Sequence, residues 1–253
     1  MLKRVFTIVF AGLLCMIFTG CAELFSPYGE ESTLCESESQ NTVSESSEWS
    51  DTYFSGTSGD ADESETCEHE PADGDLVLVR KYIPGVLTDL KYATEDNFTG
   101  TVIYEFDEAY LRYGTVKKLK AVCEELSEYG LSLKIWDAFR PVSAQFKLWE
   151  AFPDPGFVSD PNVKYSSHSR GNTVDVTVAD VWGGEVEMPS GFDDFSELAD
   201  RDYSDCSASA AANAMLLQEI MEKNGFIGYS KEWWHYTDSD TYPADESFVP
   251  PSP

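Results

Sequence analysis

The sequence predicts an α+β domain of roughly 180 residues, long enough to bury about 70% of its unfolded surface in one core. Two observations carry that prediction. Segments with a helical apolar period and segments with period-two alternation are both present from about residue 76 onward. They do not alternate regularly along the chain, which argues against a doubly wound parallel sheet.

The elements read in order. Thr115 to Glu128 places Val116, Leu119, Val122 and Leu126 on one helical stripe, with Thr115 as a candidate cap and Gly130 as the stop. Leu131 to Asp137 alternates as a strand, with Leu131, Leu133 and Ile135 on one face. Pro141 suits the first turn of a second helix carrying Phe146, Leu148 and Trp149. Thr173 to Val178 alternates again, with Val174, Val176 and Val178 facing the core and Asp175 opposite. Ala208 to Asn224 reads as a long helix with Met215, Leu216, Ile220 and Met221, ending at Gly225. The segment Phe226–Tyr236 that follows is strand-like.

The N-terminal third is of another kind. Lys3 and Arg4 precede an apolar run from Val5 to Phe18, too short for a membrane span and typical of a secretory signal. Thr19-Gly20-Cys21 resembles a lipobox, with Phe18 where an aliphatic residue is usual. Residues 1–21 are therefore expected to be a lipoprotein-type signal, with Cys21 the lipidated residue. From Ala22 to Val79 there is no lysine or arginine, and Glu, Asp, Ser and Thr dominate. Residues 22–75 thus read as a solvated acidic tether, which holds much of the formal charge of −29. So acidic a chain excludes nucleic acid as an expected partner. Membrane contact is expected only through the lipid anchor, on an exported protein. Cys35, Cys67, Cys123 and Cys206 could form disulfides after export, but no pairing follows from their positions.

The chain has only three histidines, and His69 falls in the tether. His168 lies in Ser166-Ser167-His168-Ser169-Arg170-Gly171-Asn172-Thr173-Val174-Asp175, where a turn at Gly171 could return His168 alongside Asp175. His235 lies in Glu232-Trp233-Trp234-His235-Tyr236. Two imidazoles, a carboxylate and a spare glutamate are the inventory of a catalytic zinc site with an open position. Taken singly, each has a plainer reading: an Asp on a strand is usually solvated, and the aromatics around His235 could be the point of that segment. Glu232 and His235 are three apart, so on a regular strand they face opposite ways. Both can face one metal only if the chain bends, bulges or makes a helical turn there. Arg140 ends Trp136-Asp137-Ala138-Phe139-Arg140-Pro141, at a strand-to-helix junction where a guanidinium can hold a carboxylate or an oxyanion.

The Ser-x-His-x-x-Gly-x-x-x-Asp and Glu-Trp-Trp-His runs resemble the D-alanyl-D-alanine dipeptidase family known from vancomycin resistance. That family is grouped with D-Ala-D-Ala carboxypeptidases and the Hedgehog zinc domain. Lys91 to Gly100 is similar to its N-terminal block, Trp136 to Pro141 to its arginine block, and Met188 to Asp193 to its aspartate stretch. The similarity runs in order from about Val79 to Ala244. It implies a single compact domain, residues 76–253, with a small, mainly antiparallel sheet carrying a zinc cleft and flanked by helices. It implies one Zn2+ held by His168, Asp175 and His235, with Glu232 as base and Arg140 stabilising the transition state. Tyr92, Ser166 and Asp193 would bind the substrate, the dipeptide D-Ala-D-Ala, and Asp193 would take its free ammonium. Departures are Thr173 and Gly191, at positions away from the chemistry, and the exported tether, since the resistance enzymes work in the cytoplasm. Export favours a surface carboxypeptidase or peptidoglycan endopeptidase of the same fold, acting on peptidoglycan fragments. A catalytically silent zinc domain that binds wall or protein would have no need of Glu232 and Arg140.

Overall fold

In the computed structural model, which describes residues 69–252, the chain joins the domain before the tether boundary expected at residue 75. Tyr113 donates its hydroxyl proton to Glu70 at 2.6 Å, Gly114 N–H donates to the Asp73 carbonyl, and Arg112 Nη1 donates to the Gly74 carbonyl. Glu70, Asp73 and Gly74 join the domain because hydroxyl, backbone and guanidinium donors meet them. The signal sequence, Cys21, Cys35 and Cys67 lie outside the described residues.

A short strand, β1 (Leu76–Leu78), leads into one helical turn, α1 (Val79–Tyr82), and a two-residue strand, β2 (Leu87–Thr88). Strand β3 (Tyr110–Arg112) pairs antiparallel with β1 and runs directly into α2 (Tyr113–Glu128). The helix thus starts two residues before Thr115, which is not its cap. Buried Thr115 instead donates its hydroxyl to Asp238 Oδ2 at 2.7 Å, since a hydroxyl with no water needs a partner. The stripe of Val116, Leu119, Val122 and Leu126 is fully buried. Gly130 closes the helix at φ 70°, a region open to glycine at little cost.

Strand β4 (Leu131–Asp137) matches the expected alternation, and Pro141 stands one residue before α3 (Val142–Ala151). Within α3 Leu148 is buried while Phe146 faces outward. Strand β5 (Thr173–Asp180) is buried on both faces through nearly its whole length, as a central strand is. Ser207 caps α4 (Ala208–Lys223) by accepting from Ala210 N–H, and Gly225 ends it at φ 88°. Leu217, Ile220 and Met221 of α4 are buried, while Met215 is 59% exposed and belongs to the outer face.

The expected strand Phe226–Tyr236 is two strands, β6 (Phe226–Tyr229) and β7 (Glu232–Asp238), with a turn at Ser230-Lys231. The sheet order is β2-β4-β5-β7-β6, with only β2 and β4 parallel, so the sheet is small and mainly antiparallel. Helix α2 packs on β4 and α4, and α4 on β6, closing one face with the apolar stripes. The other face, with the loops that follow β4 and β5, carries the polar cluster described next. Among the described residues no helix is long and apolar enough to cross a membrane. Cys123 and Cys206 are both free thiols.

Candidate metal centre and catalytic cleft

Strand register brings the cluster together. Asp175 at the centre of the sheet is the cross-strand partner of Asp137 on β4 and of His235 on β7. His168 arrives from outside the sheet, on a 3₁₀ turn (Ser167–Arg170) that Ser166 caps by accepting from the His168 N–H at 3.3 Å. Gly171 ends that turn at φ 74°, the left-handed conformation that folds the chain back into β5. A side chain there would also strike Leu76, whose Cδ2 stands 2.5 Å from an ideal Cβ.

The three side chains meet. His168 Nε2 is 3.3 Å from Asp175 Oδ2 and 3.4 Å from His235 Nδ1, and His235 Nδ1 is 2.9 Å from Asp175 Oδ1. One donor atom from each lies within 4.8 Å of the others. The Nδ1 of His168 is 2.9 Å from the Ala138 carbonyl, which can only accept, so Nδ1 carries the proton and Nε2 presents a lone pair to the cluster. Two imidazole nitrogens and a carboxylate oxygen converging on one point suit a zinc ion, which takes the nitrogens in their deprotonated form. The acids around the cluster favour positive charge there. Burial opposes the charged form of His168, yet the Asp175 and Asp137 carboxylates outweigh it and hold the imidazole above its ordinary pKa. Burial would likewise raise Asp175, but His168 and His235 hold its carboxyl well below the usual range.

Glu232 joins through a bulge. Gly228 pairs with Tyr236 and the next residue, Tyr229, pairs with Glu232, so three residues of β7 arch out between them. Successive burial of Trp233 and Trp234 records that break in alternation. The arch cancels the opposite-face geometry of a regular strand and leaves Glu232 Oε2 3.5 Å from His235 Nδ1. Burial, with Asp175 and Asp193 nearby, pushes Glu232 up to about 7 against the opposing pull of His235 and Arg140.

Arg140 is buried at the same cleft. Its Nε and Nη2 both donate to Asp137 Oδ2, at 2.9 and 2.5 Å, Nη1 donates to Gln145 Oε1 at 2.9 Å, and its Cζ lies 4.8 Å from the Tyr92 ring centre. Tyr92 donates to Asp193 Oδ2 at 2.6 Å. Asp193 holds φ 52°, unusual for a residue with a side chain and a mark of a site that constrains its backbone. Its burial pushes the carboxyl up to about 7, Tyr92 opposing and Asp175 adding to the rise. A cleft of about 740 Å³ is lined by Tyr92, Arg140, Ser166, His168, Asp175, Asp193, Glu232 and His235 together. All eight site residues singled out in the described chain therefore share one cavity. Asp137, Tyr104 and Gln145 were missed as functional residues. Tyr104 donates to Asp137 Oδ1 at 2.9 Å, and the one sequence signal for Asp137 was its place three residues before Arg140.

Residues 72–250 match the family model for D-Ala-D-Ala dipeptidases. The chain belongs to this dipeptidase family. Relatives include a D-alanyl-D-alanine dipeptidase of Escherichia coli (strain K12), 38% identical over 162 residues, covering 64% of this chain and 83% of that protein. Another, of Enterococcus faecium, is 36% identical and covers 64% and 90%, and one of Streptomyces coelicolor is 34% identical and covers 65% and 91%. As a family member the chain is a peptidase, and its His-Asp-His cluster is the place among its described residues where a metal could be held.

Proposed function

We propose that this protein hydrolyses the dipeptide D-alanyl-D-alanine to two D-alanines, using zinc held by His168, Asp175 and His235. The observation that carries the reading is the convergence of His168 Nε2, Asp175 and His235 Nδ1 with a second acid, Glu232, outside that trio but in the same cleft. Zinc bound there would act as a Lewis acid and bring the pKa of a water to about 7. Glu232 takes the proton of the attacking water and passes it to the leaving amine, a task suited to a carboxyl already lifted to about 7 by burial. Arg140, its guanidinium fixed by Asp137 and Gln145, is oriented in advance to meet negative charge developing on the carbonyl oxygen. Asp193 takes the free ammonium of the dipeptide, since an added cation favours the ionised form that burial alone resists. Ser166 and Tyr92 complete the wall.

A pocket that pairs Asp193 with a free amine selects against longer substrates, because an acyl group in its place leaves a buried carboxylate unpaired. Kinetics with free D-Ala-D-Ala, N-acetyl-D-Ala-D-Ala and a stem pentapeptide test this. Preference for the free dipeptide by orders of magnitude supports the dipeptidase, and equal kcat/KM for the blocked substrates would assign the protein to surface carboxypeptidase chemistry. We further propose, from the sequence of residues 1–21, that the protein is exported and anchored through an acylated Cys21, with wall fragments within its reach. Mass spectrometry of the mature N-terminus tests that: an unmodified Cys21, or cleavage elsewhere, removes the anchor.

A further inference from the structure

The arch in β7 has a backbone cost. Trp233, Trp234 and His235 have no partner on β6, and on an extended chain the carbonyls of Trp233 and His235 point the same way. Trp233 is fully buried, so its carbonyl cannot rely on water. Arg201, from the loop between Asp193 and α4, fills the gap. Its Nη2 donates to both the Trp233 and His235 carbonyls at 3.0 Å. Nε donates to the Tyr229 carbonyl at 2.8 Å, and Nη1 to the Tyr236 hydroxyl at 3.1 Å. The guanidinium stacks 4.4 Å from the Tyr236 ring, and the Arg201 N–H donates to the Ser230 carbonyl. Across from it Gly228 leaves the necessary room, for an ideal Cβ there would stand 2.5 Å from Arg201 Cζ.

We infer that Arg201 is a positioning residue for the catalytic centre, its guanidinium replacing the missing strand ladder and holding the arch that turns Glu232 and His235 toward the same cleft. The roles of those two residues rest on the dipeptidase reading above. Arg201 itself does not line the cleft and acts through the backbone it holds. A planar fork is required, because one ammonium cannot serve four acceptors on two strands. The nearest competing role is a staple that adds stability alone.

The two roles separate by measurement on the full-length protein. Arg201→Ala, Arg201→Lys and Gly228→Ala are compared for Tm, for zinc affinity by chelator competition without substrate, and for kcat and KM on free D-Ala-D-Ala. Groups that orient a metal ligand from behind typically contribute about 10–100-fold to metal affinity or activity. All three variants should lose zinc affinity and kcat by such a factor, with KM moving less. Lysine should not rescue. The double variant Arg201→Ala/Gly228→Ala should be no worse than Arg201→Ala, since the added methyl then meets empty space. A folded Arg201→Ala or Arg201→Lys protein with wild-type zinc affinity and kcat, whatever its Tm, overturns the inference. If Arg201→Ala does not fold, Gly228→Ala decides it by the same two readouts. Wild-type protein that binds zinc but leaves D-Ala-D-Ala intact would refute the dipeptidase reading, while the zinc comparison still judges Arg201.

Discussion

Replacing Asp137 by Asn keeps the shape of the side chain and removes its charge. Asp137 is fully buried, takes two donors from Arg140 on Oδ2 and the Tyr104 hydroxyl on Oδ1, and has His168 Nδ1 3.4 Å away. The amide cannot satisfy both sides. If its oxygen keeps Tyr104, its NH2 faces the guanidinium, donor against donor. Arg140 is only 8% exposed, so its charge would be left buried and unpaired. Breaking a buried pair on one side costs about 3–5 kcal/mol. The neighbouring Asp175 carboxylate works against that, because removing Asp137 relieves a like-charge repulsion across the strand pair, and the expectation falls at the lower end. About 3 kcal/mol corresponds to a fall in Tm of about 6–12 °C for a domain of this size. Thermal unfolding with and without zinc, followed by calorimetry, measures it. The kcat on D-Ala-D-Ala should fall as well, because Arg140 loses the partner that aims it. A Tm within about 2 °C of wild type would refute the reasoning, since that shift is under 1 kcal/mol and would mean Arg140 finds another counter-charge.

Other expectations follow from the same geometry. Metal analysis should find one zinc per chain in the wild type and a loss in His235→Ala, because only His168 would remain as an imidazole in the cluster. Glu232→Ala should keep its zinc and lose about 10²–10⁴-fold in kcat, as general acid–base groups do; near-normal turnover would move the base elsewhere. Asp193→Asn should raise the Tm of zinc-free protein at pH 8, with the gain fading toward pH 5. The folded-state pKa of Asp193 is raised to about 7, so wild type loses stability as pH climbs from the unfolded value through that range, and protonated Asp193 at low pH resembles Asn. A gap that does not narrow with falling pH would count against that burial cost. Cys123, its thiol pushed up to about 12 by burial, should resist iodoacetamide at pH 8 in native protein while Cys206 remains the site to watch.

What could be read from the chain alone was whatever depends on neighbours in sequence. Apolar period placed α2, β4, β5 and α4 to within a residue or two, because burial of one face is a local pattern. Rarity made His168 and His235 conspicuous, and the spacing to Asp175 and Glu232 supplied the acids. Spacing also posed its own problem, that Glu232 and His235 should face apart on a regular strand. Only the tertiary structure resolved it, since the arch in β7 depends on how β6 pairs with it and on a guanidinium from residue 201 that no local pattern connects to the site. Asp137 is the same case. Along the chain it is an acid at a strand end. Across the sheet it is Asp175's partner, the counter-charge of Arg140 and the neighbour of His168. Residue types and periods announce which chemistry is available, because they act over a few residues. Register, bulges and buried ion pairs decide where that chemistry is aimed, because each is settled by strands and loops distant in sequence competing for the same backbone donors and acceptors.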